Sequence, residues 1–331
     1  MSKIRHASAV TSATAALLAC SPAMAAQGPP PPPPPPSIMR VWVSGHGVDQ
    51  SGCGTPAAPC RSLQYAEDAI SAGGEIDILD PAGYGAVTIT KAVSIVNDGV
   101  GTAGVQQSAS GQSAITISAG ATDTVTLRGL NIDGLGLAKD GVHVASAGGL
   151  TIVNCIIRHF THDGVYVVTS DSESLAITGS TASDNGNDGF DLSPSGVASL
   201  NGFVESSLAF NNGSNGISIW GANTTNIPVT VAVSNSNTSD NGNDGIYNFG
   251  PVVDALVNDG AYNNALYGFD AEGTAVLTLA KSSAMGFNQI CGLATGPNTL
   301  AVSYGGNAIT NVASGSGTTC ENGNMQTVPL S

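Results

Sequence analysis

From Gly141 onward, a glycine followed by a large apolar residue returns at Gly164, Gly189, Gly216, Gly245, Gly268 and Gly292, at spacings of 23, 25, 27, 29, 23 and 24 residues. In the first five repeats the glycine follows Asp140, Asp163, Asp188, Asn215 or Asp244. A period this long and uneven is wrong for a coiled coil or a nine-residue roll. It suits a solenoid in which one repeat makes one coil and insertions go into loops. Such a repeat constrains the chain more than any single motif, because no coil can bury its apolar face alone and each must stack on its neighbours.

Four residues before five successive glycines stand Asn185, Asn212, Asn241, Asn264 and Asn288. Stacked coils put equivalent residues about 4.8 Å apart, so these amides can bond to one another and to the turn backbone as an asparagine ladder. Directly after the glycines come Val142, Val165, Phe190, Ile217, Ile246, Phe269 and Leu293, and two residues further Val144, Val167, Leu192 and Ile219. The alternation points both sets inward along short strands while Ser, Thr, Asn and Asp face water. A further strand precedes each turn, as in Leu150–Val153, Leu175–Ile177 and Val229–Val233. Strands this short and frequent, with almost no helical pattern between them, predict an all-β chain: a right-handed parallel β-helix, or solenoid, of about ten coils.

The one helical stretch, residues 61–72, places Leu63, Ala66 and Ile70 on one face and ends at Gly73-Gly74. It is predicted to be an N-terminal capping α-helix, since the first coil would otherwise expose its core and a row of unpaired strand groups. Lys3, Arg5, an Ala-rich apolar run through Leu17-Leu18 and Ala23-Met24-Ala25 read as a signal peptide over residues 1–25. A lipobox at Leu17-Leu18-Ala19-Cys20, with Cys20 lipidated, is the rival reading, and the good Ala-Met-Ala site argues against it. Residues 26–38 contain eight consecutive prolines, Pro29 to Pro36, and form a stiff polyproline II linker. The folded domain is expected over 39–313, followed by a flexible Gly/Ser/Asn-rich C-terminal tail over 314–331.

The chain is therefore expected to be secreted or periplasmic. No stretch approaches the roughly eighteen apolar residues of a transmembrane segment. In an oxidising compartment Cys53 and Cys60, bracketing a Gly/Pro turn, are expected to pair; Cys291 with Cys320 is a weaker pair, and Cys155 is left over and buried. Nine Lys and Arg stand against 24 Asp and Glu; cleavage after Ala25 removes Lys3 and Arg5 and leaves a net charge of −17. Nucleic acid is a poor partner for such a surface, and an acidic polysaccharide needs a cation or a local basic cluster to bridge it. The oligomeric state is not legible.

The Asn-x-x-x-Gly-Ile-x-Ile pattern at Asn212 to Ile219 and its variants resemble the parallel β-helix repeat of the pectin-lyase-like superfamily. The stretch from Val41 through Ile95 resembles the start of many bacterial secreted β-helix proteins. The resemblance covers roughly residues 40–310. It implies fold strongly and function weakly, since the superfamily holds polysaccharide lyases, glycoside hydrolases, uronate epimerases, adhesins and proteins without known activity.

Three motifs invite chemistry and fall short. Ser44-Gly-His-Gly47 contains the Gly-His-Gly string of polygalacturonases, but it precedes the capping helix and no Arg-x-Lys follows it, so it reads as a loop. Tyr267-Gly-Phe-Asp270 resembles the start of a mannuronan epimerase motif, but continues Ala271-Glu272-Gly273 without the histidine. Asp184–Gly189 and Asp240–Gly245 alternate carboxylates and amides, yet Ser195 and Pro251 occupy the position where an EF-hand needs a bidentate Glu, so both read as ladder turns.

The most suggestive stretch gathers Arg128, Lys139, Asp140, His143, Arg158, His159, His162 and Asp163 within 36 residues. Stacking places Asp140 beside Asp163, and His143 beside Tyr166 and then Asp191, in an outward column that continues through Ser218, Tyr247 and Asp270. The candidate ligand-binding residues are His143, Arg158, Asp163, Tyr166 and Asp191. Tyr166 would stack on a sugar ring and Arg158 would pair with a uronate carboxylate. Asp163 and Asp188 are the candidate metal ligands, for Ca2+. No catalytic residue is assigned. These residues point to a carbohydrate-binding or cell-surface protein; a calcium-dependent polysaccharide lyase or uronate epimerase is the second reading, and an adhesin-like surface protein the third.

Overall fold

The computed structural model describes residues 37–195, 198–221, 229–284, 288, 291–296, 299–309 and 325–327. The expected signal peptide with Cys20, the eight prolines of the expected linker and Cys320 lie outside the described residues.

Within the unit that begins at Ser37, every strand pair is parallel, and the strands fall into three sheets of 12, 10 and 9 strands. One coil runs through all three in order, as Gly149–Val153 in the first sheet, Ile156–Arg158 in the second and Val165–Val167 in the third. Among the described residues nine coils carry all three strands and a tenth carries two, in line with the expected coil number. Inward positions are Val, Ile, Leu, Phe and Ala, which stack into one continuous core from Val41 to Ala301.

Both corners flanking the second sheet are built alike: a residue in the left-handed region, then a side chain that accepts the preceding coil's backbone N–H. At the first corner Asn154, Ser206, Asn235, Asn258 and Lys281 take φ of 52–61°. The residues after them form a ladder that was not legible beforehand: Cys155 N donates to Ser180 Oγ, Ser180 N to Ser207 Oγ and Ser207 N to Ser236 Oγ, each at 3.2 Å, and Ser236 N donates to Asp259 Oδ1 at 2.8 Å. Cys155 occupies the head of this column, free and buried, and burial pushes its thiol up to about 11. Such a thiol is inert.

At the second corner His159, Asp184, Asn211, Asp240 and Asn263 take φ of 53–59° and precede the asparagine ladder. Asn185 Nδ2 donates to Asn212 Oδ1 at 3.0 Å, Asn212 to Asn241 at 3.1 Å, Asn241 to Asn264 at 2.9 Å and Asn264 to Asn288 at 3.1 Å. The glycines that follow are required for space: a Cβ on Gly189 would lie 2.6 Å from Gly216 O and 2.9 Å from Asn212 Nδ2.

Leu63–Ala69 is a short helix, N-capped by Ser62, and it packs against Arg40–Val43 and Val87–Ile89 at the amino-terminal end. Leu63, Ala66 and Ile70 are all buried. Cys53 and Cys60 are joined as a disulfide in the loop before it. Gly-His-Gly is a loop as well, fastened by Ser44 Oγ and Gly45 N, which donate to Asp80 at 2.5 and 2.7 Å. At the other end Met325–Thr327 pairs with Leu300–Ser303 in the first sheet; the other residues of 314–331 lie outside the described ones.

Candidate functional site

The third sheet begins directly after the second corner, and its register fixes the candidate face. Val142–Ser146 pairs with Val165–Val167 so that His143 faces Tyr166, and Val165–Val167 pairs with Phe190–Leu192 so that Tyr166 faces Asp191. Just before these strands runs a column that includes the two candidate metal ligands: Asp140, Asp163, Asp188, Asn215 and Asp244, all buried. Asp188 N donates to Asp163 Oδ1 at 2.9 Å, Asn215 N to Asp188 Oδ1 at 2.7 Å, Asp244 N to Asn215 Oδ1 at 3.1 Å and Tyr267 N to Asp244 Oδ1 at 3.0 Å. It is a second ladder at this corner, made mostly of carboxylates. A carboxylate accepts but cannot donate, and in Asp163 this leaves Oδ2 buried without a hydrogen-bond partner.

Around Tyr166 the side chains close into a cluster. The His143 and His162 rings stand 5.3 and 6.1 Å from the Tyr166 ring, and Lys139 Nζ lies 5.5 Å from its centre. His143 Nδ1 is 3.2 Å and Lys139 Nζ 3.4 Å from Asp140 Oδ2. His162 Nδ1 lies 3.2 Å from Asp140 Oδ1 and 2.6 Å from Asp163 Oδ2. That closest approach is misaligned for hydrogen bonding, so His162 Nδ1 and Asp163 Oδ2 are both buried without a hydrogen-bond partner.

The carboxylates are pushed apart in acidity. Burial raises Asp140, but the hydrogen bond of His143 and the charge of Lys139 outweigh it and hold the group below the usual range. Burial raises Asp163, and lifts Asp188 to about 6. Asp191 reaches about 8 through burial, with Asp163 and Asp188 nearby and in spite of its bond from Ser193. One face thus carries an ionised carboxylate and a protonated one at neutral pH, the arrangement that acid–base work requires. Tyr166 is raised by burial and by Asp191.

Two groups of ligand atoms lie within 4.8 Å of one another: Asp140, His162 and Asp163, and Asp163, Asp188 and Asp191. The second is all oxygen and contains the orphaned Asp163 Oδ2, so its donors fit a hard cation such as Ca2+.

The basic stretch read as one cluster is split by the fold over three faces. Arg128 is on the first sheet and pairs with Asp98 at 3.2 Å. Arg158 is on the second sheet, where its Nε and His159 Nδ1 hold Asp133 at 3.2 and 3.1 Å. Arg158 therefore does not flank Asp163 as expected: the corner between them turns the chain onto a different sheet. The cation at the Tyr166 face is Lys139. The outward column also needs correction at Ser218 and Asp270, which are 3% and 4% exposed. Short side chains there sink between longer neighbours. Sequence reasoning missed Trp220 and Phe249, which lie on the same face two residues beyond Ser218 and Tyr247. The available signal was their position at period two from that column.

A family model described as "Right handed beta helix region" matches residues 78–230. Among solved structures, the fold is shared by a rhamnogalacturonan lyase at 15% identity and a TM-score of 0.59, covering 88% of this chain and 87% of that chain. Pectate lyase Pel9A matches at 16% identity and a TM-score of 0.56, over 84% of this chain and 80% of that one. The A-module of the Azotobacter vinelandii mannuronan C-5 epimerase AlgE6 matches at 16% and 0.51, over 74% and 81%. No curated protein sequence matches. The chain is a right-handed parallel β-helix, and at these identities the likeness is one of fold.

Proposed function

We propose that this chain is an exported β-helix protein that binds a polysaccharide or cell-surface glycan on the outward face of its third sheet, centred on Tyr166. The observation that carries this reading is the half-buried Tyr166 ring, bordered by Lys139, His143 and His162 on one side and by Asp191 on the other. A ring of this kind stacks on the apolar face of a sugar while the flanking groups bond its hydroxyls. The three neighbours whose names state a polysaccharide substrate share the fold and make a glycan partner reasonable. Export is supported by the Cys53–Cys60 disulfide, which belongs to an oxidising compartment.

The test is a glycan panel on the mature protein. Tyr166→Ala and Lys139→Ala are expected to lose binding, and Arg158→Ala, on another sheet, to keep it. Binding that survives Tyr166→Ala would place the ligand elsewhere. The second reading, a calcium-dependent polysaccharide lyase or uronate epimerase, is favoured by Asp163, Asp188 and Asp191 lying within 4.8 Å of one another. When bound, Ca2+ would be held by the carboxylates of Asp163, Asp188 and Asp191 and would neutralise a uronate carboxylate, while Asp140 would take a proton. Absorbance from unsaturated uronate, present with calcium and absent with chelator, would establish a lyase.

A further inference from the structure

Away from Tyr166, the third sheet carries a second feature that its ladders and core do not use. Trp220, Tyr247 and Phe249 project from two neighbouring strands, Ile217–Trp220 and Ile246–Phe249. Trp220 and Phe249 are partners in register, and Tyr247 shares their side because it is two residues from Phe249. The Trp220 and Phe249 centroids are 4.5 Å apart at 40°, and Tyr247 stands 6.3 Å from each. Trp220 is 41% exposed. Aromatics are scarce, at 5% of residues with two Trp, and Phe160, Phe190 and Phe269 are buried. Three partly open rings on one patch are therefore a concentration of a rare resource.

The chemistry around this patch differs from that at Tyr166. The strands Ile217–Trp220, Ile246–Phe249 and Tyr267–Glu272 contain Asp270 and Glu272 and no Lys, Arg or His. Glu272 pairs in register with Phe249 and accepts from Tyr247 Oη at 3.4 Å. An anionic sugar would meet acidic groups here without a compensating cation. A ring with only hydroxyls finds an apolar plate and the exposed Glu272 carboxylate as an acceptor at its rim.

We infer that Trp220, Tyr247 and Phe249 form a stacking subsite for a pyranose without a carboxylate, as part of a glycan that also engages Tyr166. Three register steps, Tyr166 to Asp191 to Ser218 to Tyr247, separate the two positions, or about 14 Å along the sheet. That span is within reach of a short oligosaccharide lying along the helix axis. The inference rests on the glycan reading above and deepens it: the ligand is a heteroglycan or neutral glycan whose uncharged residues lie at the Trp220 end.

The test uses tryptophan emission in a Trp42→Phe background, where Trp220 is the sole indole, together with titration calorimetry. The probes are hexasaccharides of mannose, glucose and xylose, and hexamers of mannuronate and galacturonate. A neutral hexasaccharide is expected to shift the Trp220 emission, and Trp220→Ala to weaken its binding about tenfold. Trp220→Phe should keep most of the affinity, each variant being read beside its own melting curve. Uronate binding that Tyr166→Ala abolishes, with no emission change for any neutral sugar, overturns this subsite and leaves the Tyr166 reading standing. Absence of binding to every probe overturns both.

Discussion

Two columns run side by side through the second corner, three residues apart in each coil, and they solve the same problem differently. In the Asn185-to-Asn288 column each amide accepts the backbone N–H of the preceding coil and donates to the amide of the next, so the ladder is closed on both sides. In the Asp140-to-Asp244 column the side chains accept the backbone N–H of the following coil instead, and the carboxylates have nothing to donate. The amide column leaves nothing over. The carboxylate column leaves oxygens that take up a proton or face the sheet surface, and Asp163 Oδ2 is the clearest of these. Amides in a ladder are structure; carboxylates in the same geometry are available for chemistry, at a cost in stability.

The broadest consequence is with pH. Burial lifts Asp191, Asp270 and Glu173 to about 8 and Asp259 to about 7, and raises Asp254, on an inward position of Val252–Val257, well above its usual range. A carboxyl whose folded value exceeds its unfolded value stabilises fully below about pH 4 and loses that contribution as pH rises through the folded value. Asp49, Asp80, Asp133 and Asp140 are lowered and act in the opposite sense, below about pH 4. The melting temperature should therefore fall between pH 5 and 8.5, by more than any single substitution described next changes it. A flat or rising profile over that range would contradict the raised values of these buried carboxyls.

Asn212→Asp places the carboxylate chemistry in the amide column. The new group would face Asn241 Oδ1 and Ala182 O, both acceptors, and leave an uncompensated buried charge, costing about 3–5 kcal/mol at pH 7 by urea denaturation. The loss should shrink towards pH 4, because this carboxyl too would have a raised folded value. Asn212→Ala removes the same bonds without adding a charge and should cost about 1–3 kcal/mol at either pH.

The reverse exchange, Asp188→Asn, puts into the carboxylate column the residue that already stands there at Asn215. With Asp188 lifted to about 6 by burial, the variant should gain about 1–2 kcal/mol at pH 8 and nothing at pH 4. If calcium binds at Asp163, Asp188 and Asp191, the wild type but not this variant should melt higher on adding calcium, as read by calorimetry.

The repeat was legible in the sequence because a solenoid writes its geometry into every coil. The Asn column, the glycines and the alternation after them had to recur, since each coil packs only on its neighbours. The helix Leu63–Ala69, within the expected stretch 61–72, and the pairing of His143, Tyr166 and Asp191 followed from local pattern and counting alone. What the tertiary structure decided was which face each residue meets. Arg158 and Asp163 are five positions apart, yet a left-handed corner at His159 lies between them and the guanidinium goes to Asp133. Ser218 and Asp270 keep the outward parity that alternation assigns, but their exposure depends on the lengths of neighbouring side chains from other coils. The carboxylate ladder was hidden for the same reason: Asp before Gly looks like any turn, and only the stacked backbone shows these carboxylates accepting from the next coil and Asp163 Oδ2 left over. Period and parity belong to the chain; burial and pairing depend on coils more than twenty residues away.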